Sequence, residues 1–474
     1  MKKIILGVAA LALTMTSCTG FLQEEPRLSQ SNELTLSTYQ GLNNSVAGAY
    51  CYLQSYAWYG AYHVLNGELM AGNATNPVSI AGSGRHRTQE AWSWTESSTW
   101  SNWTYAYITI AAANNVINNL EGKTSSEVSQ QDINNIKAEA LFLRAMCHFE
   151  LVNIYAQPYL GGANAKAMGV PVILESKIGQ PARNTVGEVY TQVVNDLTEA
   201  EALMGDKYQR ADVTDVYATV TKEAIQALLS RVYLYMGEWQ KCADYATAVI
   251  NSGKFSLYEP AKYKEMWTLN TAAKGGEIIF EMFASKKNDT WDGSGWEHLP
   301  YVTSPSGSGD VCATNELYDL YEVGDVRKEM FVANENDWFP TKYAGKVGSV
   351  DPKEANTPIL RLAEMYLNRA EALYNGAKIA GVSVQQDLDA ITSKRGAPSV
   401  SPSSATIFNE RRRELAFEGH IYFDYKRLGK SITRTDYRST NTTYQNIEFP
   451  GNIWAMPIPK SEIEANPNME QNPY

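Results

Sequence analysis

The amino-acid sequence predicts a mainly α-helical protein that is interrupted by long loop regions rich in aromatic residues. Apolar residues recur at the spacing of helical turns in segment after segment, and glycine or proline marks the breaks between these segments. The chain has 474 residues, of which 44% are hydrophobic, and this content is typical of a globular protein with a large buried interior. A disordered chain is therefore not expected.

The first 17 residues are expected to form a signal peptide that ends before Cys18. Lys2 and Lys3 give a positively charged start, and the apolar run 4–13 is too short to span a bilayer. Small or polar residues precede Cys18, so this cysteine resembles the lipidation site of a bacterial lipoprotein, although Met15 and Thr16 depart from the usual lipobox. An ordinary signal peptide with Cys18 merely nearby stays the alternative.

The charge balance constrains the partners of the protein. The formal net charge is -11, which argues against nucleic acid or an anionic membrane surface and favours a neutral ligand. After Cys18, no apolar stretch approaches the ~20 residues that a spanning helix needs. A lipid on Cys18 would therefore be the only membrane anchor.

The other four cysteines, Cys51, Cys147, Cys242 and Cys312, are widely separated and form no C-x-x-C pair. This spacing argues against zinc binding and dithiol redox chemistry. The first three fall in helical patterns, where buried thiols that act as small hydrophobic groups are expected. Because the count is even and the chain is expected to be exported, disulfides stay an alternative.

Four helices are predicted in the first 200 residues, each from one apolar face. Gly122 is expected to follow the second helix and Pro158 the third, and Thr185 with Glu188 has the spacing of a capping box that opens the fourth. The residues that share the face of each predicted helix, in chain order, are Tyr39, Leu42, Val46, Tyr50 and Leu53; Trp103, Tyr107, Ile110, Asn114, Ile117 and Leu120; Ile133, Ile136, Ala140, Leu143, Cys147, Leu151 and Ile154; and Val189, Val193, Leu197 and Ala200.

Two later segments are predicted to form helical hairpins. In the first, a helical face over 225–236 is followed by Gly237 and a second face over 239–250. In the second, residues 359–373 form one helical face and residues 383–391 its partner. The Gly-x-aromatic turn after Met236 resembles a tetratricopeptide repeat, but no strict period connects the two pairs. The pattern predicts a divergent scaffold of helix pairs.

Two segments of different character, residues 60–100 and 286–309, separate the helical blocks. Loops longer than about 12 to 15 residues in a compact domain are usually functional or disordered, and tryptophan is unusual in disordered chains. We therefore expect function in these two loop regions. Their aromatic residues include Trp92, Trp94, Trp100, Trp291, Trp296 and Tyr301.

Stretches along the whole chain resemble the SusD/RagB family of outer-membrane lipoproteins. Residues 18–26 resemble the start of the mature proteins, and residues 144–158 resemble a family helix with its following turn, although Ala156 replaces a glycine. Residues 361–372 resemble the second repeat helix of the family. The most specific matches are C-terminal: residues 410–419, 423–424, 426–429, 457–459, 466–467 and 471–473.

This resemblance implies a fold of tetratricopeptide-like helix pairs with an irregular, loop-rich region packed across them. We expect an N-terminal SusD-like region over 18–230 and a C-terminal RagB/SusD region over 231–474. The resemblance also implies that the protein captures a nutrient, usually a glycan, and delivers it to a TonB-dependent SusC-type transporter. Glu24 and Glu25 are compatible with export to the outer face of the outer membrane, and equally with an ordinary solvated linker.

A sugar ring has an apolar face of C–H groups and an edge of hydroxyls, so an aromatic platform with a few polar side chains suits it. In the family, ligand-contacting residues come from the same two loop regions. The candidate ligand-binding residues are therefore Arg85, Trp92, Trp94, Trp100, Asn102, Trp291 and Trp296.

Packing in the core is the alternative for each tryptophan, because indoles bury large areas. The spacing of Trp92 and Trp94 puts both rings on one side of an extended segment, and stacking and packing are evenly balanced for them. Trp291 and Trp296, which flank a short Asp, Gly and Ser run, are expected to be exposed. Trp239 and Trp103, on helical faces, are expected in the core.

The charged run 410–430 is interpreted as a structural ion network. Arg411, Arg412, Glu414 and Glu418 are spaced so that some pairs meet on one helix, with Gly419 as the cap beyond its end. Charge runs on helices are commonly scaffold or solvated surface, so a ligand site here is the weaker reading.

No enzyme motif supports a catalytic function. The sequence contains no G-x-S-x-G, H-E-x-x-H or Walker motif, and only five histidines. We therefore expect a binding protein without catalytic residues or an obligatory cofactor. A glycoside hydrolase stays a remote alternative, and peptide binding stays the nearer one, because aromatic loops and helix-pair grooves also suit peptides.

Overall fold

The computed structural model describes residues 32–80, 84–210, 213, 215–284, 298–347 and 354–474. Cys18, Trp291 and Trp296 lie outside these residues. The described chain is mainly helical, which confirms the predicted fold class. None of its helices is both long enough and apolar enough to cross a membrane.

Helices of very different lengths follow one another along the described chain. In chain order they are α1 (Asn32–Ser37), α2 (Tyr39–Cys51), α3 (Tyr62–Ala71), α4 (Arg87–Glu90), α5 (Trp103–Asn119), α6 (Gln130–Tyr155), α7 (Val186–Leu203), α8 (Lys222–Met236), α9 (Trp239–Asn251), α10 (Leu299–Val302), α11 (Asn315–Tyr318), α12 (Leu362–Tyr374), α13 (Val384–Arg395), α14 (Ser404–Glu414), α15 (Ile421–Arg427) and α16 (Lys460–Ala465).

Short strands form small antiparallel sheets between these helices. The strands are β1 (Ala74–Thr75), β2 (Ile278–Met282), β3 (Cys312–Ala313), β4 (Phe331–Asn334), β5 (Asp337–Pro340), β6 (Thr357–Arg361), β7 (Ile432–Thr433) and β8 (Asn446–Ile447). One sheet has the order β1-β3-β5-β4, and two further pairs are β2-β6 and β7-β8. In the first sheet Ala74 faces Ala313, which in turn faces Trp338.

The predicted N-terminal helices are present as α2, α5, α6 and α7. Thr185 caps α7 and Glu188 returns a hydrogen bond to the Thr185 backbone, so the predicted capping box is confirmed. α6 ends at Tyr155, three residues before Pro158. It packs against α5 on one side and α7 on the other, and Arg144 on α6 pairs with Asp196 on α7 at 2.6 Å.

Both predicted helical hairpins are also present. α8 ends at Met236 and is capped by Gly237, whose φ of 74° lies in the left-handed region that glycine adopts without a steric penalty. α9 follows at once and packs against both α8 and α12. α12 and α13 form the second pair. The main hydrophobic core runs through these helices and α2, α5, α6 and α7.

A second apolar cluster lies beneath the sheet that β1, β3, β5 and β4 form. Leu65 and Leu69 from α3 pack there with Val311, Leu317 and Phe417. α3 belongs to the segment 60–100, which was expected to be a long loop. That expectation is wrong, because α3, β1 and α4 fall inside the segment and most of α3 is buried.

Arginines surround Glu414 in the interior, as the predicted structural ion network requires. Its carboxylate lies 2.7 Å from Arg361, 2.8 Å from Arg395 and 2.8 Å from Arg327. Burial alone would raise the pKa of Glu414, but these three guanidinium groups hold that pKa well below its usual range. The Glu414 cluster consists of Glu277, Arg327, Arg361, Arg395, Glu410, Glu414 and Glu418.

The helical part of this prediction needs a correction. α14 ends at Glu414 and does not continue to Glu418. The chain turns sharply instead, with φ values of 61° at Phe417 and 80° at Gly419. Glu418 therefore reaches Arg361 from the turn, at 2.6 Å, and not from the helix. The network is buried and not a solvated face.

The four described cysteines are free thiols, which confirms the expectation of unpaired side chains. Cys147 and Cys242 are buried as expected, and Cys312 is buried too, but Cys51 is partly exposed, so the expected burial is wrong for Cys51. Burial raises the pKa of Cys242 to about 12 and raises the pKa of Cys147 well above its ordinary value. These thiols are therefore unreactive packing groups.

Candidate ligand-binding site

The sheet that contains β1 and β3 brings the two predicted loop regions together. Asn76, directly after β1, donates hydrogen bonds from Nδ2 to the Arg85 carbonyl at 3.2 Å and to the Asp310 carbonyl at 2.9 Å. The Leu299 amide donates to the Gly60 carbonyl at 2.9 Å. Residues 60–93 and 298–310 are therefore in contact, and ligand binding by these two regions stays a prediction.

A polar cleft of about 410 Å³ opens beside this surface, between residues 76–93 and residues 438–441. Hydroxyl, amide and guanidinium groups make up much of its wall, and these are the groups that recognise hydroxyl-rich ligands. The polar cleft is lined by Asn76, Pro77, Val78, Arg87, Thr88, Glu90, Ala91, Ser93, Arg438, Ser439, Thr440 and Asn441.

Asp337 at the start of β5 holds two walls of the polar cleft together. Its carboxylate accepts hydrogen bonds from the Val78 amide at 2.9 Å and the Ser79 amide at 2.7 Å, and it pairs with Arg438. Burial alone would raise the pKa of Asp337, but the hydrogen bonds from Ser79 and Arg438 lower it below its usual value. The carboxylate is therefore charged and fixed.

Arg438 is positioned by two carboxylates and not by one. Besides Asp337, it pairs with Asp436, whose Oδ1 lies 2.9 Å from Nε. The Arg438 amide also donates to Glu90 Oε1 at 3.3 Å, and the same oxygen accepts the Thr75 hydroxyl at 2.6 Å. These contacts hold Arg438 and Glu90 rigidly in the wall.

Arg87 differs from Arg438 because it is exposed and forms no ion pair with any described residue. It begins α4, directly after His86, whose φ of 63° lies in the left-handed region. Burial lowers the pKa of His86 to about 4, so this imidazole is neutral near pH 7. The guanidinium of Arg87 is available to a ligand in the polar cleft.

A larger groove of about 610 Å³ opens beside α12 and α13. Its polar side chains include the exposed Lys262 and Lys274, and it shares no residue with the two loop regions. Exposed lysines alone do not define a binding site. The groove and the polar cleft have no lining residue in common. We therefore favour the polar cleft.

Comparison with known proteins gives the family. A SusD-like family described as starch-binding and associating with the outer membrane matches residues 20–234, and the SusD family matches residues 333–474. A SusD superfamily protein from Bacteroides thetaiotaomicron is 30% identical, with a TM-score of 0.82 over 92% of this chain and 100% of that chain. The chain belongs to the SusD family.

Two further relatives extend the comparison. The SusD-like protein P2 of Formosa agariphila is 24% identical over 527 aligned residues, which cover 100% of this chain and 99% of that protein. Surface glycan-binding protein A of Bacteroides thetaiotaomicron, solved in complex with laminarihexaose, is 19% identical with a TM-score of 0.73, over 92% of this chain and 100% of that chain. The second likeness shows the SusD fold alone.

Several of the predicted site residues are packed inside this SusD-family protein. Trp92, Trp94 and Trp100 are only 1%, 8% and 0% exposed, and Asn102 before α5 is buried as well. The expected open stacking shelf is therefore wrong for these three indoles. Trp103, which was expected in the core, is buried too.

Long-range packing explains the burial of these rings. Trp92 donates its indole hydrogen to the Met70 carbonyl at 2.9 Å and meets Trp454 edge to face at 5.5 Å. Trp94 lies parallel to Trp100 at a ring separation of 6.4 Å, and Trp100 also contacts Phe423. The tryptophans support the loop surface of this SusD-family protein from below.

Arg85 and the two outlying tryptophans have different outcomes. The Arg85 side chain is 35% exposed and lies 3.9 Å from Asp310 beside the polar cleft, so ligand binding by Arg85 stays a prediction. Trp291 and Trp296 lie outside the described residues, and their role also stays a prediction.

Sequence reasoning missed the opposite wall of the polar cleft. Residues 438–441 and the hub Asp337 were not singled out, although the stretch 431–445 is rich in Ser, Thr, Asn and Arg. That composition predicts a polar loop. Among the described residues, no group of His, Cys, Asp and Glu side chains is placed to hold a metal ion.

Proposed function

We propose that this SusD-family protein binds a glycan at the cell surface and delivers it to a TonB-dependent SusC-type transporter. The observation that carries the proposal is the polar cleft, whose wall combines fixed charged groups with hydroxyl and amide side chains. Such a wall offers both donors and acceptors to sugar hydroxyls. The described residues that line the cleft come from 76–93, in the first loop region, and from 438–441.

The chemistry of the ligand follows from the wall and the charge of the chain. Glu90 and Asp337 offset the cations of the wall, so the polar cleft favours a neutral ligand over a strongly charged one. The family description names starch, and a structural relative was solved with laminarihexaose, a neutral oligosaccharide. These facts support a neutral oligosaccharide or polysaccharide.

The remaining parts of the proposal rest on the sequence. We infer that Cys18 carries a lipid that anchors the protein in the outer membrane, facing the cell exterior, and that residues 18–230 and 231–474 form its two regions. The protein would act by binding alone, without a catalytic step or a cofactor. Handover to the transporter would use surfaces outside the polar cleft.

A glycan array tests the proposed function directly. We expect the purified protein to bind at least one neutral glycan, and Arg87→Ala to weaken that binding about 10-fold, because hydrogen bonds from charged donors are among the stronger ones. Lys274→Ala is the matched control, since Lys274 is an exposed cation that lines the groove beside α12 instead. Binding should be measured by isothermal titration with the array's strongest glycan.

Three results would contradict this proposal. A protein that ignores every glycan but retains peptides in a pull-down would be a peptide-binding relative. New reducing ends after incubation with polysaccharides would indicate a hydrolase. Equal affinities of the Arg87→Ala variant and the wild type would move the glycan away from the polar cleft.

A further inference from the structure

Trp338 is unusual among the described tryptophans because it is partly exposed. Most of the others are fully buried. The second partly exposed ring, Trp239, packs against the main helical core, and Trp338 itself packs in part against the second apolar cluster. Trp338 lies on β5, where its neighbours across the sheet are Ala313 and Ala333. Both neighbours carry only a methyl group, so neither of them can cover the exposed part of the indole.

A stack of three side chains holds the Trp338 ring flat. The ring of Tyr318 lies 3.6 Å from that of Trp338 with an angle of 8° between the planes. Lys328 lies 4.7 Å from the centre of the Tyr318 ring. Because Tyr318 is braced in this way, Trp338 has one covered face. No described aromatic ring or cation stacks on its other face.

Hydrogen bonds tie the edge of this ring to the wall of the polar cleft. The indole nitrogen of Trp338 donates to Asn315 Oδ1 at 3.2 Å, and the backbone N–H of Asn315 donates to Asp436 Oδ2 at 2.8 Å. Asp436 in turn pairs with Arg438, which lines the polar cleft. The ring is therefore oriented by the same network that positions Arg438.

We propose that Trp338, backed by Tyr318, is a stacking surface for one pyranose ring of a saccharide whose other units lie in the polar cleft. The indole nitrogen already has a partner, so the ring offers only its π face, which suits the apolar C–H face of a sugar. This inference rests on the proposed glycan-binding function and adds a residue to it. The ligand would be an oligosaccharide and not a single sugar.

The variant Trp338→Ala tests this assignment on an array of immobilised oligosaccharides that runs from disaccharides to long chains. We expect wild-type binding to strengthen with chain length, and the variant to lose about 3- to 10-fold on the long chains while short ones change little. Trp338→Leu keeps apolar bulk without a flat ring and should lose as much. Tyr318→Phe keeps the stack and should bind like the wild type.

Two controls separate a fold defect from a lost contact. Trp239→Leu removes the other partly exposed indole and should leave glycan binding unchanged, and melting temperatures should identify any variant that has unfolded. If the wild type binds and Trp338→Leu binds equally well, the stacking role is overturned while the proposed function stands. If the wild type binds no saccharide on the array, both fall.

Discussion

Two groups of arginines and carboxylates in this protein have similar composition and different surroundings. The Glu414 cluster lies wholly in the interior, where Glu414 alone contacts three guanidinium groups. The group at the polar cleft consists of Asp337, which is also buried, and of Arg438 and Asp436, whose side chains are 14% and 18% exposed. Only the second group borders open space.

The difference shows what distinguishes scaffold from site. In the Glu414 cluster each charge offsets the desolvation of its neighbours, and all of its side chains are buried away from any ligand. At the polar cleft, Asp337 and Asp436 fix Arg438 on one side while the other side faces about 410 Å³ of space. Exposure, and not the number of charges, marks the candidate site.

Removing one charge from the interior should have the largest effect on stability. Glu414→Gln keeps the shape of the side chain but leaves Arg327, Arg361 and Arg395 without their shared carboxylate. Because breaking a buried ion pair leaves an uncompensated charge, we expect the free energy of unfolding to fall by about 3–5 kcal/mol. Urea unfolding, followed by circular dichroism, measures this loss.

An exposed ion pair provides the control for that experiment. Lys222 and Asp206 lie 2.7 Å apart, but their side chains are 32% and 79% exposed, so Lys222→Met should cost no more than about 1 kcal/mol. A Glu414→Gln variant as stable as Lys222→Met would show that the interior cluster contributes little, and the contrast with the polar cleft would then collapse.

The scaffold could be predicted because its signals are local. Apolar periodicity, the Thr185 capping box and Gly237 lie within the elements that they define, so α7 and the α8–α9 hairpin followed from nearby residues. The end of α14 was missed, because the turn at Phe417 is set by Arg361 and other distant partners of Glu418.

The tryptophan prediction failed because its rule was local while the packing was not. The spacing of Trp92 and Trp94 places both on one side only if the segment is extended, but Trp92 has a φ of 50°. Its ring meets Tyr422 and Trp454, more than 300 residues away in the chain. No pattern in the sequence near Trp92 reports such partners.

Only one wall of the polar cleft was predicted, because the other wall depends on contacts that are distant in the chain. Arg85 and its neighbours lie in a region that the family resemblance pointed to, whereas Arg438 reaches the site from the far end of the chain. Asp337, which joins Val78 to Arg438, is separated from Val78 by 259 positions. Contacts over such separations follow from the complete fold and not from local spacing.

Glu68 on α3 sharpens the comparison, because it is buried without an arginine. Its carboxylate accepts hydrogen bonds from Asn73 Nδ2 at 2.8 Å and the Gly419 amide at 3.3 Å. Burial raises the pKa of Glu68 to about 7 despite these neutral donors. Ionisation is therefore unfavourable in the folded state, in contrast to the arginine-bound Glu414.

Glu68→Gln should consequently change how stability depends on pH. In the unfolded chain the Glu68 carboxyl ionises above pH 4.5, and in the folded protein only above about pH 7. The contribution of Glu68 to the free energy of unfolding of the wild type therefore falls as the pH rises between these two values. We expect the free energy of unfolding of the variant to rise relative to that of the wild type across this range, by about 3 kcal/mol at most. Urea unfolding at several pH values measures the gain.

The buried histidines do not confuse this measurement. Burial lowers the pKa of His86 to about 4 and that of His148 to about 3, so both reduce stability as pH falls below 6.5. Both histidines are present in the variant and the wild type, and their contribution cancels in the difference. A difference that stays constant from pH 4.5 to 7 would mean that Glu68 titrates normally.

Asp337→Asn at the polar cleft should change the free energy of unfolding less than Glu414→Gln or Glu68→Gln does. We expect a loss of about 1–2 kcal/mol. The side-chain oxygen of the variant still accepts from the Val78 amide, and Asp436 still balances the charge of Arg438, which borders the open polar cleft. The pKa of Asp337 is lowered, so its contribution is present above pH 3.8 and disappears as pH falls through the folded value. The difference in free energy of unfolding between the variant and the wild type should therefore decrease as the pH falls below 3.8.

The matched variant Asp436→Asn, at the more exposed carboxylate, should cost less than Asp337→Asn in the same unfolding assay. If Asp337→Asn instead lowers the free energy of unfolding as much as Glu414→Gln does, the carboxylate at the cleft contributes as much to stability as that of the interior cluster. The polar cleft would then be a second piece of scaffold, and exposure would no longer separate the two groups.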